Sequence, residues 1–236
     1  MEQPWGDLPE KNYDAGRPAA SYAPSPFKHV NIVHMPKIHG LTAMSVVRYA
    51  LRAERHFLNA QRQHREAFSS HFGAGDQISL MRDELELMIY CMRKSLDHLI
   101  QGVFSKLYQS ELEIAGSIAV DSLGRALMPN LRRKYPELSA VILGADAEKS
   151  SNFFEVINAL SNAFKHCFLM PESAAYCSPD LPNIVVFDVP NKSVNEIPVV
   201  HNHTAVHLMM GYQDVFDRLL VDLGAQPLFP ARSAPL

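Results

Sequence analysis

The sequence predicts a mainly α-helical fold: a bundle of four long helices with short connecting helices and a β-hairpin inserted before the last helix. Two observations favour this fold class. Apolar residues recur at three- and four-residue spacing over four long stretches, which is the period of an amphipathic helix. Near the end, two runs rich in valine and isoleucine flank a Pro-Asn-Lys-Ser turn, which is typical of a hairpin.

The first two long helices are the most strongly patterned. The first is predicted from about Thr42, a good N-cap, to about His71, just before Gly73. Its inward face consists of Val46, Ala50, Ala53, Phe57, Ala60, His64 and Phe68. The second is predicted from near Asp76 to about Tyr108, because its apolar residues keep a 3-4 spacing over about 30 residues.

The middle of the chain predicts shorter elements. Glycines and prolines interrupt it, and we expect short helices around 118–128 and 136–143. The third long helix then begins after Ser150 or Ser151 and ends near Phe168, because a proline follows shortly afterwards.

The hairpin is predicted at about 184–200, from strands at 184–189 and 194–200. Thr204 is an N-cap for the final helix, which ends at Gly224. The domain organisation follows from these elements. A flexible, proline-rich N-terminal arm (1–38) precedes the helical domain (39–224), and a flexible C-terminal tail (225–236) follows it.

Composition excludes several classes of protein. With 236 residues, 47% hydrophobic and 20% charged, the chain can bury a sizeable core. The net charge of −3 provides no global attraction to nucleic acid. Three scattered cysteines without a CxxC pair argue against disulfide or zinc-thiolate scaffolds. No stretch approaches the roughly 20 apolar residues of a membrane span. The sequence therefore predicts a cytoplasmic protein with no membrane partner.

One polar patch lies on the second helix. Arg93 and Asp97 are spaced i,i+4, so they can pair along the helix, on a flank turned away from the apolar seam. The pair is interpreted either as a surface salt bridge or as part of a site.

A second polar patch lies on the third helix. It consists of Asn158, Asn162, Lys165 and His166 on the strip opposite the apolar face. Two asparagines at i,i+4 are unfavourable in a helix, because their side chains compete for backbone hydrogen bonds. The strip is therefore either solvent-facing or part of a ligand-binding cluster between the second and third helices.

Together the two patches carry a family resemblance. Arg93-Lys-Ser-Leu-Asp-His98 and Leu160-Ser-Asn-Ala-Phe-Lys-His166 resemble a set of uncharacterised bacterial helical proteins. Their pattern is Arg-Ser-x-Leu-Asp-His-Leu followed downstream by Asn-x-x-Lys-His, and they in turn resemble HEPN-type four-helix domains. The resemblance covers residues 42–223 in layout.

The resemblance implies two functions. HEPN ribonucleases carry Arg-x4–6-His, and Arg93-x4-His98 and Arg65-x5-His71 match that spacing. As a metal-independent ribonuclease, the protein would use His98 or His166 as the general base and Arg93 or Lys165 to stabilise charge on the phosphate. Other HEPN relatives are binding or regulatory modules, some in bacterial stress or defence, and they form homodimers. On a regular helix Arg93 and His98 lie about 140° apart, so one helix does not aim both at one phosphate.

An arginine stripe marks the outer face of the first helix. It comprises Arg48, Arg52, Arg55, Arg62 and Arg65. Such a face either follows a nucleic-acid backbone or is simply solvated, and no aromatic residue interleaves with it to stack a base.

Three late histidines form the last constellation. If the second strand continues to His203, then His201 and His203 point to the same face, and His207 follows in the helix. Three neutral imidazoles suit zinc or a similar metal, although no carboxylate lies within the cluster. Helix capping and a place in an interface are the alternative interpretations of these histidines.

Three functions are thus expected. The first is a binding or regulatory module that forms a homo-oligomer and has an RNA or protein partner. The second is a metal-independent ribonuclease, and the third is a metal-dependent enzyme. The first two need no cofactor.

Overall fold

The computed structural model describes residues 6–24, 40–69, 74–144, 147–166, 181–188 and 197–222. Within these ranges the protein is mainly helical, as predicted, and a small sheet precedes the last helix. The helices in chain order are α1 (Gly40–Ser69), α2 (Ala74–Leu107), α3 (Gln109–Ala115), α4 (Leu123–Ala126), α5 (Pro129–Lys134), α6 (Pro136–Leu143), α7 (Ala147–His166) and α8 (Ala205–Asp222).

The four long helices, α1, α2, α7 and α8, confirm the sequence prediction within a few residues at each end. The region between α2 and α7 is more helical than predicted, because it holds four short helices where two were expected. Proline at the first position of α5 and α6 explains their starts, since that position needs no backbone N–H donor.

Residues that lie close together in space form two compact units, and each of the four long helices contributes a segment to both. The first unit comprises Met1–Tyr22, Ala53–Tyr90 and Val156–Gly211. The second comprises Ala23–Arg52, Cys91–Glu155 and Tyr212–Leu236.

The first unit contains the sheet. Its strands are β1 (Glu10–Lys11), β2 (Asn183–Asp188) and β3 (Val199–Thr204), in the order β1-β3-β2. β2 and β3 are antiparallel, and β1 adds a short parallel strand on the other side of β3. The predicted hairpin is therefore part of a three-stranded sheet, completed by the N-terminal segment.

β3 differs from the predicted second strand, 194–200, because it continues through the polar run His201-Asn202-His203. All three side chains are buried, and pairing with β2 together with side-chain hydrogen bonds compensates for burying them. The predicted turn at 190–193 and the predicted tail at 225–236 lie outside the described residues.

Each unit buries apolar side chains from its own helix segments. In the first unit these include Phe57 of α1, Leu85 of α2 and Leu160 of α7, together with valines of the sheet. In the second they include Leu99 of α2 and Phe216 of α8, with others from α1, α6 and α7.

The C-terminus of α6, in the second unit, is capped by a glycine and an arginine. Gly144 has a φ of 66°, which a residue with a side chain rarely adopts. The guanidinium of Arg218 donates hydrogen bonds to the carbonyls of Val141 and Ile142, so a cation satisfies the last acceptors of the helix. Burial lowers the pKa of Arg218, and the charge of Asp222 acts in the opposite direction.

Among the helices that the structure describes, none combines the length and the apolar character needed to cross a membrane.

Candidate functional site

The Arg93–Asp97 pair predicted from the i,i+4 spacing is present on α2. Arg93 Nε lies 3.0 Å from Asp97 Oδ1, and the two side chains are only 14% and 12% exposed. The same carboxylate oxygen accepts a hydrogen bond of 2.8 Å from the backbone N–H of Leu123, the first residue of α4. Asp97 therefore joins α2 to α4 as well as pairing with Arg93, which is a structural role.

His98, the next residue on α2, makes a different contact. Its ring stacks on Tyr49, with 5.9 Å between the ring centroids and 23° between the planes. Its Nδ1 atom is buried and has no hydrogen-bond partner among the residues that the structure describes. Burial lowers the pKa of His98; a hydrogen bond with Gln101 and the charge of Asp97 oppose that shift.

The patch on α7 belongs to the first unit, whereas Arg93, Asp97 and His98 belong to the second. Asn162 is exposed and Asn158 is half-buried. Lys165 and His166 lie within α7, but their side chains fall outside the described part of the structure. A joint ligand site formed by the two patches stays a prediction.

The arginine stripe lies on the outer side of α1, as predicted. Arg48, Arg55, Arg62 and Arg65 are exposed, and Arg52 is half-buried. Arg62 and Glu66 form a long ion pair of 3.9 Å between two side chains that are each more than half exposed. Such a pair is worth well under about 1 kcal/mol, so it leaves the arginine available to an anion.

Two of the three late histidines, His203 and His207, contact residues 13–15 near the N-terminus, and His201 contacts His203. His203 Nδ1 accepts a hydrogen bond of 2.9 Å from the backbone N–H of Tyr13. In a neutral ring the proton then sits on Nε2, which lies 3.1 Å from His201 Nδ1 and donates to it. His207 Nδ1 lies 3.0 Å from Asp14 Oδ1 and 3.3 Å from the backbone nitrogen of Ala15.

These contacts engage one ring nitrogen of His201, one of His207 and both of His203. Both nitrogens of His203 are engaged, and burial lowers the pKa of this residue to about 3, with the charges of His201 and Lys11 adding to the shift. Within the described ranges, no group of three or more histidine, cysteine, aspartate or glutamate side chains is arranged to hold a metal ion.

One polar cluster was missed by sequence analysis. His56 Nδ1 of α1 lies 2.6 Å from Glu84 Oε2 of α2, and Asn59 donates to Glu84 Oε1 at 3.1 Å. The i,i+3 spacing of His56 and Asn59 was a signal that they share a face, but their partner lies on another helix. The carboxylate orients the imidazole, which is 12% exposed.

Comparison of the chain with protein-family models, with curated proteins and with solved structures gives no match.

Proposed function

We propose that this protein is a HEPN-like binding or regulatory module that holds an anionic partner, with RNA as the partner class, on the outer face of α1 in the first unit. The observation that supports the proposal is the exposure of Arg55, Arg62 and Arg65 along one helix. Guanidinium groups donate in a fork that matches phosphate oxygens, and three of them on a rigid helix keep a constant spacing.

The chemistry favours a backbone contact rather than base recognition. Arg55 and Arg62 are separated by two turns, which is about 10 Å along the helix axis, and Arg65 follows one turn later. No aromatic side chain interleaves with them, so the expected binding is electrostatic and depends little on nucleotide sequence. The overall charge of −3 adds no global attraction to that of the local stripe, which predicts weak binding at physiological salt.

The test is a titration of fluorescently labelled single-stranded RNA of mixed sequence, read by anisotropy between 50 and 200 mM salt. Three phosphate contacts at about 0.7 each give a logarithmic salt slope of about −2, which is about a 20-fold loss of affinity over this range. The triple variant R55A/R62A/R65A is expected to lose that slope.

The matched control replaces three arginines of the second unit with alanine: Arg125, Arg132 and Arg133. It removes the same net charge and is expected to retain most of the binding. Equal losses in the two variants, or no binding by the wild-type chain at 50 mM salt, would refute the proposal.

A metal-independent ribonuclease is the second candidate. The burial that lowers the pKa of His98 favours it, because a general base must be unprotonated. The engagement of Arg93 by Asp97 weighs against it. RNA incubated with the wild-type chain, His98→Ala and His166→Ala in the presence of a chelator separates the candidates. Cleavage that either substitution abolishes would support the ribonuclease; binding without cleavage in all three would leave the binding module.

A further inference from the structure

The N-terminal segment, defined here as residues 9–17, lies against β3 and the first half of α8. The backbone N–H of Val200 donates to the carbonyl of Pro9 at 2.8 Å, and Glu10 and Lys11 then pair with β3 as strand β1. The segment and its surface are nearly 190 residues apart in sequence, and both belong to the first unit. The segment therefore docks as an added strand does.

Side chains of the sheet recognise the segment through a chain of buried amides. Asn183 of β2 donates to Asn202 Oδ1 of β3 at 3.1 Å, and Asn202 Nδ2 donates to Glu10 Oε1 at 3.0 Å. Each amide is oriented by its neighbour, and Asn202 therefore presents an N–H donor to residue 10. A carboxylate at that position accepts this hydrogen and completes the row of hydrogen bonds.

Two histidines contact the segment, and one of them accepts a backbone hydrogen from it. His203 Nδ1 accepts from the N–H of Tyr13, and His207 Nδ1 lies within reach of the N–H of Ala15 as well as of the Asp14 carboxylate. Beyond the strand, the guanidinium of Arg17 donates to the carbonyl of Met210 at 3.3 Å. These contacts continue the recognition past the two paired residues of β1.

A glycine provides the pocket for the aromatic residue. Tyr13 is 7% exposed, and its ring lies directly over Gly211 of α8. A Cβ atom at position 211 would come within 2.8 Å of the ring carbons Cε1 and Cζ. Only glycine leaves room for the ring at this position, so the surface is shaped for an aromatic side chain.

We propose that β3 and the Ala205–Gly211 part of α8 form a peptide site whose occupant can be the N-terminal segment of a second copy of this chain. The site recognises an extended peptide with glutamate, tyrosine and aspartate at the spacing of Glu10, Tyr13 and Asp14. A second copy presents the same residues, so it reproduces every contact named above.

Chain length permits the exchange. Fifteen residues, 25–39, lie between the last described residue of the N-terminal part and the start of α1. A chain of that length spans up to about 50 Å when extended, which is enough to reach a neighbouring copy. The site is separate from the arginine stripe, so this proposal does not rest on RNA binding.

The test uses a fluorescently labelled peptide of residues 6–22 as the probe of a second copy's segment, titrated with full-length protein. In the wild-type chain the internal segment competes at an effective concentration in the millimolar range. For a peptide with a dissociation constant of about 100 µM, that competition weakens binding about tenfold. The full-length Tyr13→Ala variant, whose own segment is weakened, is expected to bind about tenfold more tightly than the wild type.

Two controls are matched to the pocket. A labelled peptide carrying Tyr13→Ala should not bind either chain, and full-length Gly211→Ala should not bind the wild-type peptide, since both changes remove the aromatic pocket contact. Where Tyr13→Ala fails to fold by circular dichroism, Asp14→Ala replaces it, because that side chain is 75% exposed. Absence of wild-type peptide binding by folded Tyr13→Ala or Asp14→Ala protein would overturn the proposal, as would equal binding of the two peptides.

Discussion

Acid should destabilise this protein through one buried histidine, His203. Its side chain is fully buried, and its Nδ1 accepts the Tyr13 N–H, so the folded protein holds it neutral. Burial lowers its pKa from the ordinary 6.5 to about 3. In the unfolded chain the same imidazole titrates at its ordinary pKa.

The direction in which stability changes with pH follows from proton binding. Between pH 6.5 and pH 3 the unfolded chain takes up a proton at this residue that the folded chain does not, so the free energy of unfolding falls as the pH falls. From pH 7 to pH 5 the loss is about 2 kcal/mol. That amount depends mainly on the unfolded pKa, because a folded pKa anywhere below about 4 gives nearly the same value.

Urea denaturation at pH 7, 6 and 5 measures the effect, with His203→Asn as the comparison. The asparagine oxygen can accept the Tyr13 N–H in place of Nδ1, but it does not titrate. We expect the variant to be less stable at pH 7, because a buried ring is lost, and to lose about 2 kcal/mol less than the wild type on going to pH 5.

Asn202→Ala is the matched control, since it removes a buried, non-titrating side chain from the same strand. Ionisable groups that contact neither Asn202 nor His203 are the same in all three proteins and cancel in the differences between them. Equal losses in the wild type and in His203→Asn would refute the argument that His203 is held neutral.

Three further predictions concern named contacts and are measured by urea denaturation at pH 7. Asp97→Ala should cost about 2–3 kcal/mol, because it leaves a largely buried guanidinium and the Leu123 N–H without this acceptor; a loss under about 0.5 kcal/mol would contradict the structural role. Gly211→Ala should cost about 1–3 kcal/mol through overlap with the Tyr13 ring, and adding Tyr13→Ala should recover part of it; strictly additive losses would contradict the contact. Tyr212→Phe should cost about 1 kcal/mol, because it removes a buried 2.5 Å hydrogen bond to Ser95, whereas no change would exclude that bond.

Local pattern was enough to predict the helices. The 3-4 spacing along α2 identified a helix of more than eight turns, and the caps placed α8 within one residue of its start. The Arg93–Asp97 pair was equally predictable, because both partners lie on one helix four residues apart. In each of these cases the interacting residues are near neighbours in the chain, and helical geometry alone places them.

Contacts between distant segments were not predictable in the same way. His56 and Glu84 lie on different helices, and nothing in either local pattern names the partner of the other. The spacing of the late histidines suggested a metal, and nothing in that spacing predicted that Tyr13, Asp14 and Ala15 would lie beside two of them.

The sequence by itself therefore determined the fold class, the helices and the i,i+4 pairs. Tertiary structure alone decided the roles of the polar residues. Asp97 accepts a hydrogen bond from the first residue of α4, and His203 accepts one from the backbone of Tyr13, 190 positions earlier in the chain. The physical reason is that helical periodicity is local, whereas the partner of a buried polar group is whichever donor or acceptor the folded chain brings to it.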